Sequence, residues 1–452
     1  MTRDRTDPTA GTVALREVEA ALATRWPESR IEPSLERIQD LVDLLGGPQH
    51  TYPVIHIGGT NGKTSTARMA DALLRELGLR TGRFTSPHLE SITERICLDG
   101  EPLDAGRFAG VYAEVAPYLG LVDQRHQIRM SFFEVLTAMA FAAFADAPVD
   151  AAVVEVGLGG SWDATNVVDG RVAVLTPISV DHVEYLGDTV EEIATEKAGI
   201  IKPGSIAVLA SQTEAAAEVL LGRAADLGAT IAREGLEFGV RTREVAVGGQ
   251  MLNLDGLAGH YDQVFLPLHG AHQAQNAAAA LAAVEALLGG GRDALDPDAV
   301  RAAFSRAGSP GRLEVLRRSP TVLVDAAHNP AGARALADAL TEEFAFGSLV
   351  GVVAVLHDKD VFGILEALEP VVEAIVVTEN SSPRALAVDD LARVAVDLFG
   401  EDRVHRGATL ADAIDIGVAL AERDAPLGGG GVLVTGSVVT AGDARRLLRG
   451  SS

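Results

Sequence analysis

Apolar positions along the chain keep two rhythms, and their alternation outlines a fold. Val18, Leu22 and Trp26, then Leu35, Ile38, Leu41, Leu44 and Leu45, recur at helical spacing and predict two helices within residues 12–47. Gly46-Gly47-Pro48 ends that pattern. Val54, Ile55 and Ile57 then make a short β-branched run, the mark of a buried strand, and helical spacing resumes at Ala67, Met69, Ala70, Leu73 and Leu74. Apolar runs return at 81–86, 149–156 and 171–178, with a short strand at 95–98 and helical patterns over 104–120 and 131–146. Strands that are apolar along their length and separated by helices predict a mostly parallel sheet covered on both faces. From 234 to 269 the rhythm shortens. Segments at 237–240, 244–247, 251–254 and 263–268, joined by glycine-rich turns, predict a small antiparallel appendage. An alanine-rich helix follows over 272–288. Beyond Ala307-Gly-Ser-Pro-Gly311 a second αβ series begins, with strands near 321–326, 349–356, 373–378 and 431–436. The expected organisation is α/β throughout: residues 1–308 form the first domain and 309–452 a Rossmann-like second one.

What lies between the first strand and its helix gives the first domain its character. Gly58, Gly59 and Gly62 precede Lys63-Thr64, the layout of a phosphate-binding loop. Glycines let backbone N–H groups approach phosphates, and a helix N-terminus adds partial positive charge. Lys63 suits terminal phosphates and Thr64 offers a hydroxyl to Mg²⁺. The usual loop separates its key glycines by a longer run, whereas Gly59 and Gly62 enclose only Thr60-Asn61.

Several further residues fall at predicted strand ends, where open parallel sheets bind their ligands. Ser86 follows the second strand, Glu155 closes the run 149–156, and His182 follows 171–178. Glu155 is either a Mg²⁺ ligand or a capping or ion-paired carboxylate. His182, beside Asp181, is either a second metal ligand or a structural histidine. Lys197 ends a helix, where a solvated lysine is favoured by the helix dipole; the other reading is functional. In the second domain Asp325 closes a strand and suits ribose hydroxyls, while His328-Asn329 opens a helix and suits phosphate. Arg312 stands at the junction, where an arginine serves either a ligand or an ion pair.

Composition narrows the classes. A net charge of −25 argues against general binding to nucleic acid or anionic membranes, though not against anionic substrates in a locally positive pocket. No apolar run is long enough to span a membrane, and the polar start of the chain resembles neither a signal nor a transit peptide. A lone Cys97 excludes an internal disulfide framework and fits a reducing cytoplasm. Lysine occurs only at 63, 197, 202 and 359, so two of the four fall inside the motifs above.

Together these residues resemble the Mur ligase superfamily, most closely its folylpolyglutamate synthase/dihydrofolate synthase branch. The motifs are Gly59-Thr-Asn-Gly-Lys-Thr64, Thr85-Ser-Pro-His-Leu89, Glu155-Val-Gly-Leu-Gly-Gly160 with Asp163-Ala-Thr-Asn166, Asp181-His182, Glu196-Lys-Ala-Gly-Ile200, His272-Gln273 with Asn276, Pro310-Gly-Arg312 and Asp325-Ala-Ala-His-Asn-Pro330. The short glycine loop is this family's variant. The resemblance implies an ATP- and Mg²⁺-dependent ligase that activates a carboxylate as an acyl phosphate for attack by L-glutamate. The carboxylate would belong to dihydropteroate, to reduced folates, or to both. It assigns ATP to Gly59, Thr60, Asn61, Gly62, Lys63, Thr64, Asn276, Arg312, Asp325 and His328. Thr64, Ser86, Glu155, His182 and a carbamylated Lys197 would hold metal, with Lys63, His182 and Lys197 serving catalysis. Ser131, Phe133 and Asp163 would meet the pterin. The expected partners are these small molecules, the expected state a monomer. Ser161 and Val438-Val439 depart from the family, which often has an arginine and an aromatic there. The alternatives are another Mur-type amino-acid ligase and a nucleotide-binding switch without ligase chemistry.

Overall fold

The structure, a computed structural model, describes residues 8–27, 30, 32–424 and 429–450. Its first sheet contains β1 (Val54–Gly58), β2 (Thr81–Phe84), β3 (Ile96–Leu98), β4 (Glu101–Pro102), β5 (Ala151–Glu155), β6 (Gly170–Leu175), β7 (Ile206–Leu209) and β8 (Thr230–Arg233). The order is β4-β3-β2-β5-β1-β6-β7-β8. Pairs from β2 across to β8 are parallel, while β3 pairs antiparallel with β2 and β4 with β3. The expected mostly parallel sheet is therefore present. β1 lies centrally, with Ile57 in register with Glu155 on one side and Val174 on the other.

Around it run α1 (Pro8–Ala23), α2 (Glu36–Leu44), α3 (Lys63–Glu76), α4 (Ala105–Arg125), α5 (Phe132–Asp146), α6 (Val183–Leu186), α7 (Val190–Lys197), α8 (Glu214–Asp226), α9 (Ala271–Gly289) and α10 (Pro297–Ser305). Ile38, Phe108, Phe141 and Phe144 of α2, α4 and α5 form one core with Phe84 and Val154. Ile193 and Leu220 of α7 and α8 form another with Leu175 and Leu209. Local signals start the helices. Ser131 and Thr189 make capping boxes with Glu134 and Glu192, satisfying amide donors that a helix leaves unpaired.

A three-stranded sheet follows, β9 (Gly239–Ala246), β10 (Gly249–Asp255) and β11 (His260–Leu266), ordered β11-β10-β9. It is the expected antiparallel appendage, but β9 is one strand where two short ones are predicted. The second αβ series comprises β12 (Glu314–Arg318), β13 (Thr321–Val324), β14 (Ser348–Val353), β15 (Ala374–Val377), β16 (Val404–Arg406) and β17 (Gly430–Thr435). Their order is β12-β13-β17-β14-β15-β16, parallel except for β12 against β13. The helices α11 (Pro330–Glu343), α12 (Val361–Leu368), α13 (Val388–Phe399), α14 (Leu410–Asp424) and α15 (Val438–Arg449) alternate with them.

Two compact units result. The first holds Met1–Thr242, Leu252–Phe265 and Gln275–Ala307; the second holds Arg243–Met251, Leu266–Ala274 and Gly308–Ser452. The switch after Ala307 falls at the glycine-proline junction. Two stretches from the appendage region, 243–251 and 266–274, nevertheless group with the second unit, which a single boundary at 308 does not provide for. Within that unit Glu343 accounts for the grouping. It bonds the Arg243 guanidinium, His269 Nδ1 at 2.7 Å and the Gly270 N–H at 2.7 Å.

Candidate functional site

The loop between β1 and α3 is built on two glycines that no other residue can replace. Gly59 has φ +129°, and a Cβ there would stand 2.0 Å from Thr176 Oγ1 at the end of β6. Gly62 has φ +94°, and its Cβ would stand 2.4 Å from Asn276 Oδ1 on α9. Both positive φ values and both close approaches select glycine. Pro177 O accepts the Thr60 N–H at 3.0 Å, and Thr60 Oγ1 donates to Ser179 O at 3.1 Å, so the loop is tied to the segment after β6. Lys63 opens α3, and its Nζ curls back to Gly59 O (3.2 Å) and Thr60 O (3.0 Å). The positive end of α3 and the Lys63 ammonium thus meet at the loop.

One residue further, Thr64 Oγ1 lies 2.8 and 3.0 Å from the two oxygens of Glu155, which is 1 % exposed at the end of β5. The Ser86 N–H reaches the same carboxylate at 3.3 Å. Three strand ends therefore bring Thr64, Ser86 and Glu155 together. These are hard oxygen donors around a buried carboxylate, and they suit Mg²⁺. Among the described residues no three His, Cys, Asp or Glu side chains converge to hold a metal by themselves. A divalent cation at Glu155 would complete its shell with phosphate oxygens and water.

His182 is placed differently. It adopts a left-handed backbone (φ +54°) just before α6, and its half-exposed ring lies 4.0 Å from Asp181 Oδ1. That oxygen also accepts the His182 N–H at 2.8 Å.

Lys197, the last residue of α7, is 4 % exposed. Among the described residues its ammonium has neither a hydrogen bond nor an ion pair, and burial, with the nearby Lys63, lowers its pKa to about 7. The ion pair with Glu196 or Glu155 that an ordinary lysine would make is not formed. Glu196 is turned instead onto the glycine-rich loop. It accepts the Gly160 N–H (3.0 Å), the Ser161 N–H (2.8 Å) and the Ser161 hydroxyl. Asp163 holds the other end of that loop. Its Oδ2 accepts the Leu158 N–H and its Oδ1 the Thr165 N–H, each at 2.9 Å, together with the Thr165 hydroxyl. Complete burial raises its pKa to about 6. Phe133 stands against this loop, where a Cβ on Gly157 would be 2.5 Å from its Cζ, and its ring centroid lies 5.7 Å from that of Phe84. The Ser131 hydroxyl accepts the Glu134 N–H at 3.1 Å and starts α5.

The second unit gathers the remaining candidates around the end of β13. Asp325 accepts the Leu313 N–H and the Ala327 N–H, both at 2.7 Å. Burial raises its pKa and the Arg312 guanidinium lowers it. His328 donates its Nδ1–H to Ala326 O at 3.0 Å. Asn329 caps α11 through the Gly332 N–H at 2.8 Å. Arg312 also acts on His272, whose pKa burial lowers to about 4.

Comparison with known proteins identifies the arrangement. The Mur ligase middle domain matches residues 57–284, and the Mur ligase, glutamate ligase domain matches 311–438. The dihydrofolate synthase/folylpolyglutamate synthase of Mycobacterium tuberculosis is 56% identical across 98% of this chain and 95% of its own. The chain belongs to the folylpolyglutamate synthase/dihydrofolate synthase family. The Bacillus subtilis member is 32% identical across 94% of this chain and 98% of its own. Among solved structures, M. tuberculosis folylpolyglutamate synthase complexed with ADP superposes with a TM-score of 0.93 at 56% identity, covering 98% of this chain and 99% of that one. Escherichia coli FolC in complex with DHPP and ADP gives 0.82 at 28% identity, covering both chains fully.

Family membership was legible from motifs, but the two loop clamps were not. Glu196 reads as a neighbour of Lys197, and only the fold shows its carboxylate turned to Gly160 and Ser161. Asp163 stands close to the glycine run, which is a weak signal, whereas Glu196 lies 36 residues from Gly160 and gives none. The departure at Ser161 has a local account, because its hydroxyl is part of that clamp.

Proposed function

We propose that the chain joins L-glutamate to dihydropteroate, to reduced folates, or to both, at the expense of ATP, by way of an acyl phosphate. The observation that carries this reading is the buried Thr64–Glu155 pair beside Lys63 on the glycine loop. A carboxylate is a poor electrophile until one oxygen becomes part of a phosphate leaving group. Making that phosphate crowds anions, so the site must supply counter-charge. Lys63 and the α3 N-terminus supply it on the phosphate side. Mg²⁺ held by Thr64 and Glu155, and a second ion held with the help of Ser86 and His182, would supply further positive charge to the phosphates.

Gly59, Thr60, Asn61 and Gly62 cradle phosphate, and Asn276 serves the nucleotide from α9. In the second unit Arg312 and His328 take phosphate, and Asp325 takes ribose. Lys197, poised near neutrality, is the lysine that carries CO₂ as a carbamate. Its burial supplies the neutral amine the reaction needs, and two carbamate oxygens would suit Mg²⁺. Phe133, Ser131 and the loop held by Asp163 form the pterin side.

The enzyme works in the cytoplasm as a monomer on small molecules. No helix among the described residues is long and apolar enough to cross a membrane. Phosphate release with ATP and glutamate tests the reading, comparing dihydropteroate, tetrahydrofolate and a UDP-muramyl peptide. Turnover with either pterin supports it, and turnover with the muramyl peptide alone sinks it.

A further inference from the structure

Inside the first unit a buried hydrogen-bond chain leads from the phosphate-loop strand to the glycine-rich loop. His56 on β1 is fully buried, in register with Val154 of β5 and Ala173 of β6. Its Nε2 lies 2.8 Å from Thr165 Oγ1, and the same hydroxyl bonds Asp163 Oδ1. Among the described residues His56 Nδ1 has no hydrogen-bond partner. The Gly170 backbone lies along that side, where a Cβ would be 3.8 Å from Nδ1.

The direction of the chain follows from the charge on Asp163. An ionised carboxylate only accepts, so the Thr165 proton points at Asp163 and the hydroxyl lone pair takes the Nε2–H of a neutral imidazole. Nδ1 is then a bare lone pair. With a proton on Asp163 the chain could reverse, the acid donating to Thr165 and Thr165 to Nε2. The imidazole proton would then sit on Nδ1, as a buried N–H without an acceptor. Orphaned buried donors are the rarer and costlier defect. The bare nitrogen therefore biases the chain toward an ionised Asp163.

We propose that His56 is a positioning residue for the pterin side of the site, keeping Asp163 ionised through the Thr165 hydroxyl and turned onto the loop that stands against Phe133. This rests on the reading that Phe133 and its loop meet the pterin. Burial works against the ionised state, raising Asp163 to about 6, while the Leu158 N–H and the Thr165 hydroxyl and N–H favour it. The imidazole stays neutral, because burial and Lys202 lower it to about 3.

The test measures kcat and KM for dihydropteroate between about pH 5 and pH 8 in wild type, His56→Leu and His56→Gln. Loss of the donor in His56→Leu should move the acid limb up by about one pH unit, and should raise KM more than it lowers kcat. The glutamine amide reaches the point occupied by Nε2 and should bring the limb most of the way back. An unmoved limb, or a glutamine variant that behaves like leucine, overturns the proposal. Should His56→Leu fail to fold, Thr165→Val against Thr165→Ser makes the same comparison at the hydroxyl. The ¹⁵N resonances of the His56 ring provide a readout that needs no turnover. A neutral Nε2–H ring across this range supports the chain direction; an Nδ1–H or charged ring refutes it. If neither pterin supports phosphate release, the ligase reading falls, and the ring tautomer still decides the chain.

Discussion

Glu155 and Asp325 are both buried carboxylates at the carboxyl end of a strand, Glu155 as the last residue of β5 and Asp325 as the first beyond β13. Their bonds differ. Glu155 takes the Thr64 hydroxyl and the Ser86 backbone N–H. Asp325 has each oxygen engaged by a backbone N–H, tying the Gly311–Leu313 turn to the strand end. The Glu155 carboxylate is met mainly by a side-chain hydroxyl, the Asp325 carboxylate by backbone N–H groups on both oxygens. A strand-end carboxylate is thus informative only once its partners are known.

The sharpest break of this contrast is removal of charge at the first strand end. Lys63→Ala and Glu155→Ala should each lower kcat by roughly a hundredfold or more while the chain stays folded, because both groups act on charge that develops during transfer. Near-normal turnover in either variant would remove the assignment. Lys197→Ala should approach the same loss and recover part of it with added acetate; full activity without acetate would exclude the carbamate.

The same lysine leaves a mark on stability. Its unfolded pKa is 10.5 and its folded pKa about 7, so between those values the unfolded chain holds a proton that the folded chain lacks. Stability therefore rises with pH across that window, by up to about 1.4 kcal/mol per pH unit. Urea unfolding in CO₂-free buffer should show a steeper rise in wild type than in Lys197→Met, in which Lys202, also lowered by burial, still contributes.

Smaller effects separate shape from charge. Asp163→Ala should cost the dihydropteroate reaction about tenfold more than the tetrahydrofolate reaction, the equivalent of one good hydrogen bond. Equal losses would mean that the clamped loop serves both substrates alike. Asp325→Asn should lower stability by about 1–3 kcal/mol in urea, since one backbone donor loses its acceptor. The matching Glu155→Gln variant should unfold like wild type. If both variants destabilise equally, the contrast between the strand ends fails.

The sequence showed the central strands because those strands are apolar from end to end. It hid the margins. β8, β12 and β16, absent from the expected strand list, are edge strands with polar, partly exposed faces, and β4 at another edge is only Glu101-Pro102. Their pairing comes from a neighbour, so no apolar period announces them. β7 and α8 were also missed, although both carry buried faces; Ile206-Ala-Val-Leu209 is simply too short a run to declare itself. Site residues followed the same rule. Lys63, Thr64 and Glu155 sit in motifs with a fixed spacing, whereas the partners of Glu196 and Asp163 depend on how a loop folds back.

Burial of Lys197 also makes it a nucleophile of an unusual kind. An uncharged amine near neutrality attacks electrophiles that a protonated lysine ignores. At 4 % exposure the amine is reached most easily by small reagents, so cyanate should label this position faster than bulkier amine reagents. Occupancy of the phosphate loop by nucleotide would then be read as protection of a single side chain.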